Sequence, residues 1–494
     1  MIKKEVKFLL SHSAIYSLGT LAAQLVGFFL LPVYTRYLTP EEYGIIEMVT
    51  LTNSVIGVFL SFGVSAAIVR FFYSQDDDKY RKSVISTTSI IYSASALGFG
   101  ILLFNMVGIF SRLVFSSEQY AGLLKISFAY LLVGGFNNIG DTYFRVMKKP
   151  FLYVTISMSR LILLISLNIY FVVFVKTGIV GILNSTLIVN IVFALIVSMP
   201  IVVKTRTRFN IVLAREMLMY SLPMVPANIM RIVINQSDRF FITNMLSLAD
   251  TGIFGIAVKI GNAILILIGY PFNLTFMQRR FEIVKRKDAQ VVFTKVFTYF
   301  SLLMLFMGLV ITVFIHEVLV CMTTPAFYKA AVLVPFVVFY SIIFSFRFHF
   351  DFGIFLSKKT HLDIYINSTV LIISIIANYY CIKYMGLMGA IYAKTIVTVL
   401  HTSLYYFIAG KCYKVRYEFK KVFSAVGIGL LIYVMSVYVD MGTMVITIFV
   451  KIGLMGLYVL TLRLLNIIEK EEYAYVKNVI SGCINRYIFR ESAI

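Results

Sequence analysis

The 494-residue chain contains no tryptophan, only four cysteines, and about half as many acidic residues as basic ones, 23 Asp and Glu against 45 Lys and Arg. Without tryptophan, any aromatic belt at a membrane surface must come from the 32 tyrosines and 44 phenylalanines. The cysteines, Cys321, Cys381, Cys412 and Cys483, stand at no metal-ligand or redox spacing and read as small apolar residues in or near helices. No Gly-rich phosphate loop occurs, and no connection between apolar segments is long enough to hold a separate catalytic domain. Nothing in the sequence calls for a cofactor or a metal. Charged residues make up only 14% of the chain. What fills it is hydrocarbon: 60% hydrophobic residues and a mean hydropathy of +0.89, which exclude a soluble globular domain and indicate a polytopic membrane protein.

Apolar runs of about 20 residues or more, the length that crosses hydrocarbon, recur about fourteen times. They extend from 9–34 and 44–71, through 216–246, 362–382 and 386–409, to 420–439 and 443–465. The first follows Lys3, Lys4 and Lys7 as a signal peptide would, but it runs too long and no small-residue cleavage site follows, so it is expected to be the first span. Lys and Arg fall in alternate loops, about 29 in one set against about five in the other (Arg36, Arg112, Lys176, Lys329 and Lys383). The positive-inside rule then places both termini in the cytoplasm. That scatter over alternate loops, rather than over one surface, argues against nucleic acid as the partner of a chain with net charge +22. The segment 466–494, with Val476, Ile480, Ile484 and Ile488 at helical spacing, is expected to form an interfacial helix, a disordered tail being the open alternative.

An internal repeat is legible. Residues 35–47 lie over 243–255 at a shift of 208, matching Thr35 with Thr243, Glu42 with Asp250 and Gly44 with Gly252. Asp141 and Lys148–Lys149 match Asp351 and Lys358–Lys359 at a shift of 210, and Gly178 and Gly181 match Gly386 and Gly389 at 208. Six spans per copy is even, so both copies insert the same way up, about an axis along the membrane normal. The fold class expected is all-α and polytopic. It has two six-helix lobes, residues 1–210 and 211–415, then two further spans within 416–465 and a cytoplasmic tail, 466–494.

Polar residues inside the spans mark an interior path. A cation at a helix centre costs roughly 2.5–3.5 kcal/mol, so Arg160, Arg231, Lys259, Arg347 and Lys394 together would cost on the order of 12–17 kcal/mol facing lipid. Asn228, Arg231, Asn235 and Asp238 follow at i, i+3, i+7 and i+10 and line one helical face. Ser13, Ser17, Thr20 and Gln24 form the matching stripe of the first span. Both faces are expected to border a central cavity, with dry helix–helix hydrogen bonding as the alternative. Lys259, sharing a face with Asn262, is expected to join Arg231. Arg160 has no acidic neighbour one turn away. Arg347 has Asp351 at i+4 and could be held in a structural pair, and Lys394 could snorkel to the outer interface. Arg145 reads as an anchor paired with Asp141, and Arg70 and Lys451 as helix-end residues. Glu47, Asp238 and Asp351 could carry a coupling ion, or more simply neutralise nearby cations; His349 and His401 read as hydrogen-bonded core residues.

The segment LPVYTRYLTPEEYGIIEM (31–48), the Lys148–Lys149–Pro150 turn and the run DRFFITNMLSLADTGIFGIA (238–257) resemble polysaccharide-transporter flippases of the Wzx type, within the multidrug/oligosaccharidyl-lipid/polysaccharide exporter superfamily. The resemblance covers essentially the whole chain. It implies a flippase, not an enzyme, that moves an undecaprenyl-pyrophosphate-linked oligosaccharide (an O-antigen, capsule or other surface-polysaccharide unit) to the outer leaflet of the bacterial inner membrane. Transport would proceed by alternating access without ATP hydrolysis. The implied partners are that lipid-linked oligosaccharide, membrane lipids and polysaccharide polymerase machinery. Two relatives compete. Peptidoglycan lipid-precursor flippases tend to place several arginines early in the first helices, where this chain has only Arg36 and Arg70. Multidrug exporters use an acidic site for cationic drugs, against the basic excess here. A membrane glycosyltransferase would need catalytic carboxylates and a sizeable outer loop, and neither is evident.

Overall fold

The computed structural model describes residues 27–207, 209–359, 361–438 and 443–467. Among them the protein is helical throughout, with no strand. Among the described residues, twelve helices are long and apolar enough to cross a membrane: α1 Pro40–Ser61, α2 Asp78–Asn105, α3 Ala121–Val146, α4 Pro150–Phe174, α5 Gly178–Lys204, α6 Ile211–Met245, α7 Leu248–Ile283, α8 Ala289–Val313, α9 Ala330–Leu356, α10 His361–Cys412, α11 Phe419–Val437 and α12 Val445–Leu464. At 52 residues, α10 would be about 78 Å long if straight, more than twice the hydrocarbon thickness. Gly386, at φ 58° and ψ −139°, breaks it where 362–382 was expected to give way to 386–409, so α10 supplies two crossings. Most of the expected first span, with Ser13, Ser17, Thr20 and Gln24, lies outside the described residues. So do 468–494, with Cys483 and the four apolar positions of the expected interfacial helix.

The chain divides into two compact units. One takes the chain up to Thr275 together with Leu319–Tyr413; the other takes Phe276–Val318 and the chain from Lys414 onward. In the second unit, Leu302, Leu309 and Val313 of α8 form a core with Ala425 and Ile432 of α11 and Met455, Tyr458 and Leu462 of α12. Thus α8, from within residues 211–415, packs with the two spans that follow them.

Inside the first unit the duplicated segments meet. α1 opens with a capping box: the Thr39 hydroxyl accepts from the Glu42 N–H while the Glu42 carboxylate accepts from the Thr39 N–H, with Pro40 at the first turn. At the matching position Ser247 accepts from the Asp250 N–H at the start of α7, and donates to the Asp250 carboxylate at 2.6 Å. Gly44 and Gly252 then face one another. A Cβ on Gly44 would lie 1.9 Å from the Leu248 carbonyl oxygen, and one on Gly252 would lie 2.0 Å from the Pro40 carbonyl oxygen. Leu248 is Pro40 shifted by 208 and Gly252 is Gly44 shifted by 208, so the crossing of α1 and α7 is reciprocal. Two further pairs of repeat positions share unusual backbone: Lys148 and Lys358 at φ 54° and 56°, and Gly178 and Gly386 at φ 57° and 58°. After each of the two lysines the chain reaches back in the same way, Lys149 N–H to Phe144 O at 3.0 Å and Lys359 N–H to Ile354 O at 3.1 Å. Removing one cap hydroxyl at a time, Thr39→Ala and Ser247→Ala should each cost about 1 kcal/mol. Chemical unfolding in micelles should find the two losses near-additive, because the hydroxyls share no partner; a neutral result would show that the caps do not hold these starts.

Candidate functional site

Near one end of the first unit, four helices contribute charges to a single cluster. Glu47 of α1 accepts from Arg239 Nε of α6 at 2.7 Å. Arg239 Nη1 lies 3.0 Å from Asp238 Oδ1, and Asp238 Oδ2 lies 3.2 Å from Lys394 Nζ of α10. Lys394 also donates to the backbone oxygens of Ile234 and Asn235 at 3.1 and 2.6 Å. Beside these, Lys259 of α7 donates to the Tyr43 hydroxyl at 2.7 Å. Asp238 is 1% exposed. Its burial is tolerable because two cations meet it, and an unpaired charge there would cost several kcal/mol. Small residues make room. A Cβ on Gly255 would collide with Glu47 Cγ at 2.7 Å, whereas one on Gly27 would only touch Lys259 Nζ at 3.6 Å. The cluster carries three cations against two carboxylates. At 1.5 Å per residue its charged members lie about 9–17 Å from the helix ends at Pro40, Met245, Leu248 and Gly386, so they form one layer across the unit.

Arg231 stands apart. It precedes Asp238 by seven residues, a net rotation of about 20° on an α-helix, so both point the same way about 10 Å apart along α6. That face is closed at Asp238 and open at Arg231 and Asn235, both exposed, with Asn228 half-buried one turn earlier. Among the described residues the Arg231 side chain makes no ion pair or hydrogen bond; the Asn235 amide turns back to the Arg231 carbonyl at 2.8 Å. The expected stripe is therefore present as a buried ionic end and an open, cationic end.

The other expected cations are placed differently. Arg160 makes a two-pronged pair with Asp141, Nη1–Oδ2 2.9 Å and Nη2–Oδ1 3.2 Å, while Arg145 donates to Thr142 instead of pairing with Asp141. The sequence-based pairing of Asp141 with Arg145 fails because a carboxylate between two arginines goes to the one that can engage both of its oxygens. The guanidinium of Arg347 lies 3.0 Å from His401 Nδ1 and over the rings of Phe344 and Tyr405, rather than closing on Asp351. Asp351 itself sits at the kink between Phe350 and Phe352 of α9. Lys394 does not snorkel outward but joins the cluster. Lys259 is engaged with Tyr43 rather than with Arg231, and Asn262 accepts from Ser341 at 2.7 Å. In the second unit Lys451, 6% exposed, pairs with Glu317, 8% exposed, at 2.5 Å, so it is a buried mid-helix ion and not a helix-end residue.

Two members of the cluster escape the sequence reading. Arg239 is its hub, yet it is not among the cations expected from the sequence; the Asp238–Arg239 doublet, two adjacent charges in an apolar run, is the signal that marks it. Tyr43 carries no such mark. Among the described residues no group of three His, Cys, Asp or Glu side chains is placed to hold a metal.

The family model for polysaccharide biosynthesis proteins matches residues 33–278. An uncharacterised membrane protein of Haemophilus influenzae is 23% identical over 314 residues, 63% of this chain and 74% of that protein. Among solved structures, the lipid II flippase MurJ in an inward closed conformation superposes with a TM-score of 0.70 at 14% identity, over 90% of this chain and 98% of that one. An inward-facing multidrug resistance MATE transporter of the MOP superfamily gives 0.63 at 14% identity, over 78% and 94%. A Vibrio cholerae MATE transporter, VcmN, gives 0.57 at 13% identity, over 82% and 96%.

Proposed function

The chain matches the polysaccharide biosynthesis protein family over residues 33–278 and is a multi-pass membrane protein with the MurJ/MATE fold, and from that premise we propose that it is a flippase whose cargo is an undecaprenyl-pyrophosphate-linked oligosaccharide. The observation that carries this reading is Arg231, an exposed guanidinium unpaired among the described residues, on the helical face it shares with the buried Asp238. A diphosphate is an anion that such a group attracts in a low dielectric, and the lipid tail stays in the bilayer. Asn228 and Asn235 would add neutral donors on the same stripe. Arg160, Arg347 and Lys394 contribute less than the sequence suggests, since each is already held by a partner. With the membrane negative inside, outward movement of each negative charge gains roughly 2.3 kcal/mol per 100 mV.

Alternating access follows from the charge layer on this reading. Residues 1–210 and 211–415 act as the two lobes, and Glu47–Arg239 joins them near the outer face, the termini being cytoplasmic in the inner membrane. For the cargo to leave outward, that layer parts. The multidrug-exporter reading is disfavoured by the carboxylates: Glu47, Asp238, Asp141 and Glu317 are each bound to a cation, which leaves none of the four free to take a cationic drug. A lipid precursor of peptidoglycan is also a lipid diphosphate, and Arg231 would serve it equally.

The test is flipping in proteoliposomes, with lipid-linked oligosaccharide offered beside lipid II and a cationic dye. Arg231→Ala should slow oligosaccharide flipping about tenfold, the worth of one charged hydrogen bond, without lowering the unfolding midpoint. Transport of the dye alone would overturn the reading. Transport of lipid II alone would replace the cargo, and full activity of Arg231→Ala would remove the cationic site.

A further inference from the structure

The second unit holds a cavity of about 590 Å³ that the transport reading does not use, lined by Gln290, Val291, Thr294 and Lys295 of α8 and by Lys414, Arg416 and Glu418 of the segment leading into α11. We propose that it is a binding site for the phosphate of an anionic membrane lipid.

The segment is pinned so that its charges stay outside. Gln290 donates to the Lys414 carbonyl at 2.9 Å and Thr294 to the Arg416 carbonyl at 2.6 Å, which uses the backbone acceptors and leaves the side chains to the opening. Lys295, Lys414 and Arg416 are all exposed. Among the described residues the side chains of Lys414 and Arg416 make no ion pair or hydrogen bond. The single carboxylate of the lining is already occupied: Glu418 accepts from Thr298 at 3.0 Å and pairs with Lys421 at 3.2 Å. The cavity is thus cationic and its acid is neutralised.

Its depth identifies the ligand. α8 and α11 both begin here, so the cavity sits at a membrane surface. Immediately beyond it Phe297, Tyr417 and Phe419 pack ring to ring, with centroids 4.6–5.9 Å apart, and Phe423 continues the row one turn further, 69% exposed. Phe297 is fully buried and backs the row, while Tyr417, Phe419 and Phe423 stay partly or fully open. Such rings at the headgroup level with a basic pocket between helix ends are what an anionic headgroup requires, phosphate on the cations and glycerol and upper acyl carbons against the open rings. The volume is within the range of small-ligand pockets and exceeds the need of a bare phosphate ion.

The test uses the full-length purified protein in mixed micelles, titrated with phosphatidylglycerol, phosphatidylcholine, inorganic phosphate and lipid-linked diphosphate, and read by the unfolding midpoint and by quenching from a brominated lipid. Phosphatidylglycerol should bind saturably and raise the midpoint, and phosphatidylcholine should not. Lys414→Ala/Arg416→Ala should weaken phosphatidylglycerol binding roughly 25-fold, about fivefold per cation. The control Lys285→Ala/Lys287→Ala, elsewhere on the basic surface, should leave it unchanged. Equal loss in the control, or no loss in the cavity variant, would overturn the proposal. Protection by inorganic phosphate alone would make the ligand a free anion, and binding of lipid-linked diphosphate alone would assign the cavity to transport; either overturns the phospholipid assignment.

Discussion

Asp238→Ala is expected to cost the fold about 3–5 kcal/mol, the penalty for leaving buried charge without its partner. Asp238 is 1% exposed and holds both Arg239 and Lys394. Without it, Arg239 keeps Glu47, but Lys394 is left with only two backbone oxygens. Arg239→Met should cost less, since Asp238 retains Lys394 and Glu47 retains Lys259 nearby. Pairing Asp238→Ala with Lys394→Met should recover much of the loss, because the stranded ammonium is removed with its carboxylate. Unfolding of the three variants in micelles measures this order. If Asp238 instead carries a coupling ion, Asp238→Asn abolishes transport and the double variant shows no recovery of stability.

Gly44→Ala is expected to cost about 1–3 kcal/mol although alanine is the better helix former by about 1 kcal/mol. The contact decides the sign: the new methyl meets a backbone oxygen at 1.9 Å, which cannot rotate aside as a side chain would. Gly252→Ala meets the mirror-image obstacle at 2.0 Å and should behave alike. The double variant should lose less than the sum, because helices that have moved apart for one methyl have made part of the room for the other. A neutral or stabilising Gly44→Ala would show that the crossing is looser than its geometry.

Much of the architecture is legible in the amino-acid order. The spans follow from the length of apolar runs, including the two crossings of α10, where Gly386 marks the break. The repeat register follows from Glu42 and Asp250, Gly44 and Gly252, and the two lysine pairs, because caps and close approaches demand particular residues at fixed positions. Ion pairing is not legible, for a plain physical reason. Sequence displays neighbours within one or two turns, so it offers Arg145 to Asp141 and Asp351 to Arg347. The partners actually used lie much further away in the chain: Arg160 for Asp141, His401 for Arg347, Glu47 for Arg239 and Glu317 for Lys451. Of the five cations expected inside the spans, Arg160 and Lys394 meet carboxylates, Lys259 and Arg347 meet neutral partners, and among the described residues only the exposed Arg231 side chain has neither, so the interior is less positive than its composition implies.

The glycine crossing also limits how the first unit can move. Sliding α1 along α7 by one turn would bring Pro40 or Met48 of one helix, or Leu248 or Ile256 of the other, to a point where a single methyl does not fit. Translation is barred, whereas rotation about the contact displaces little there and much at the far ends of both helices. Gly44 and Gly252 therefore act as a bearing, and any change of state in this unit that preserves their contact is a swivel rather than a shear.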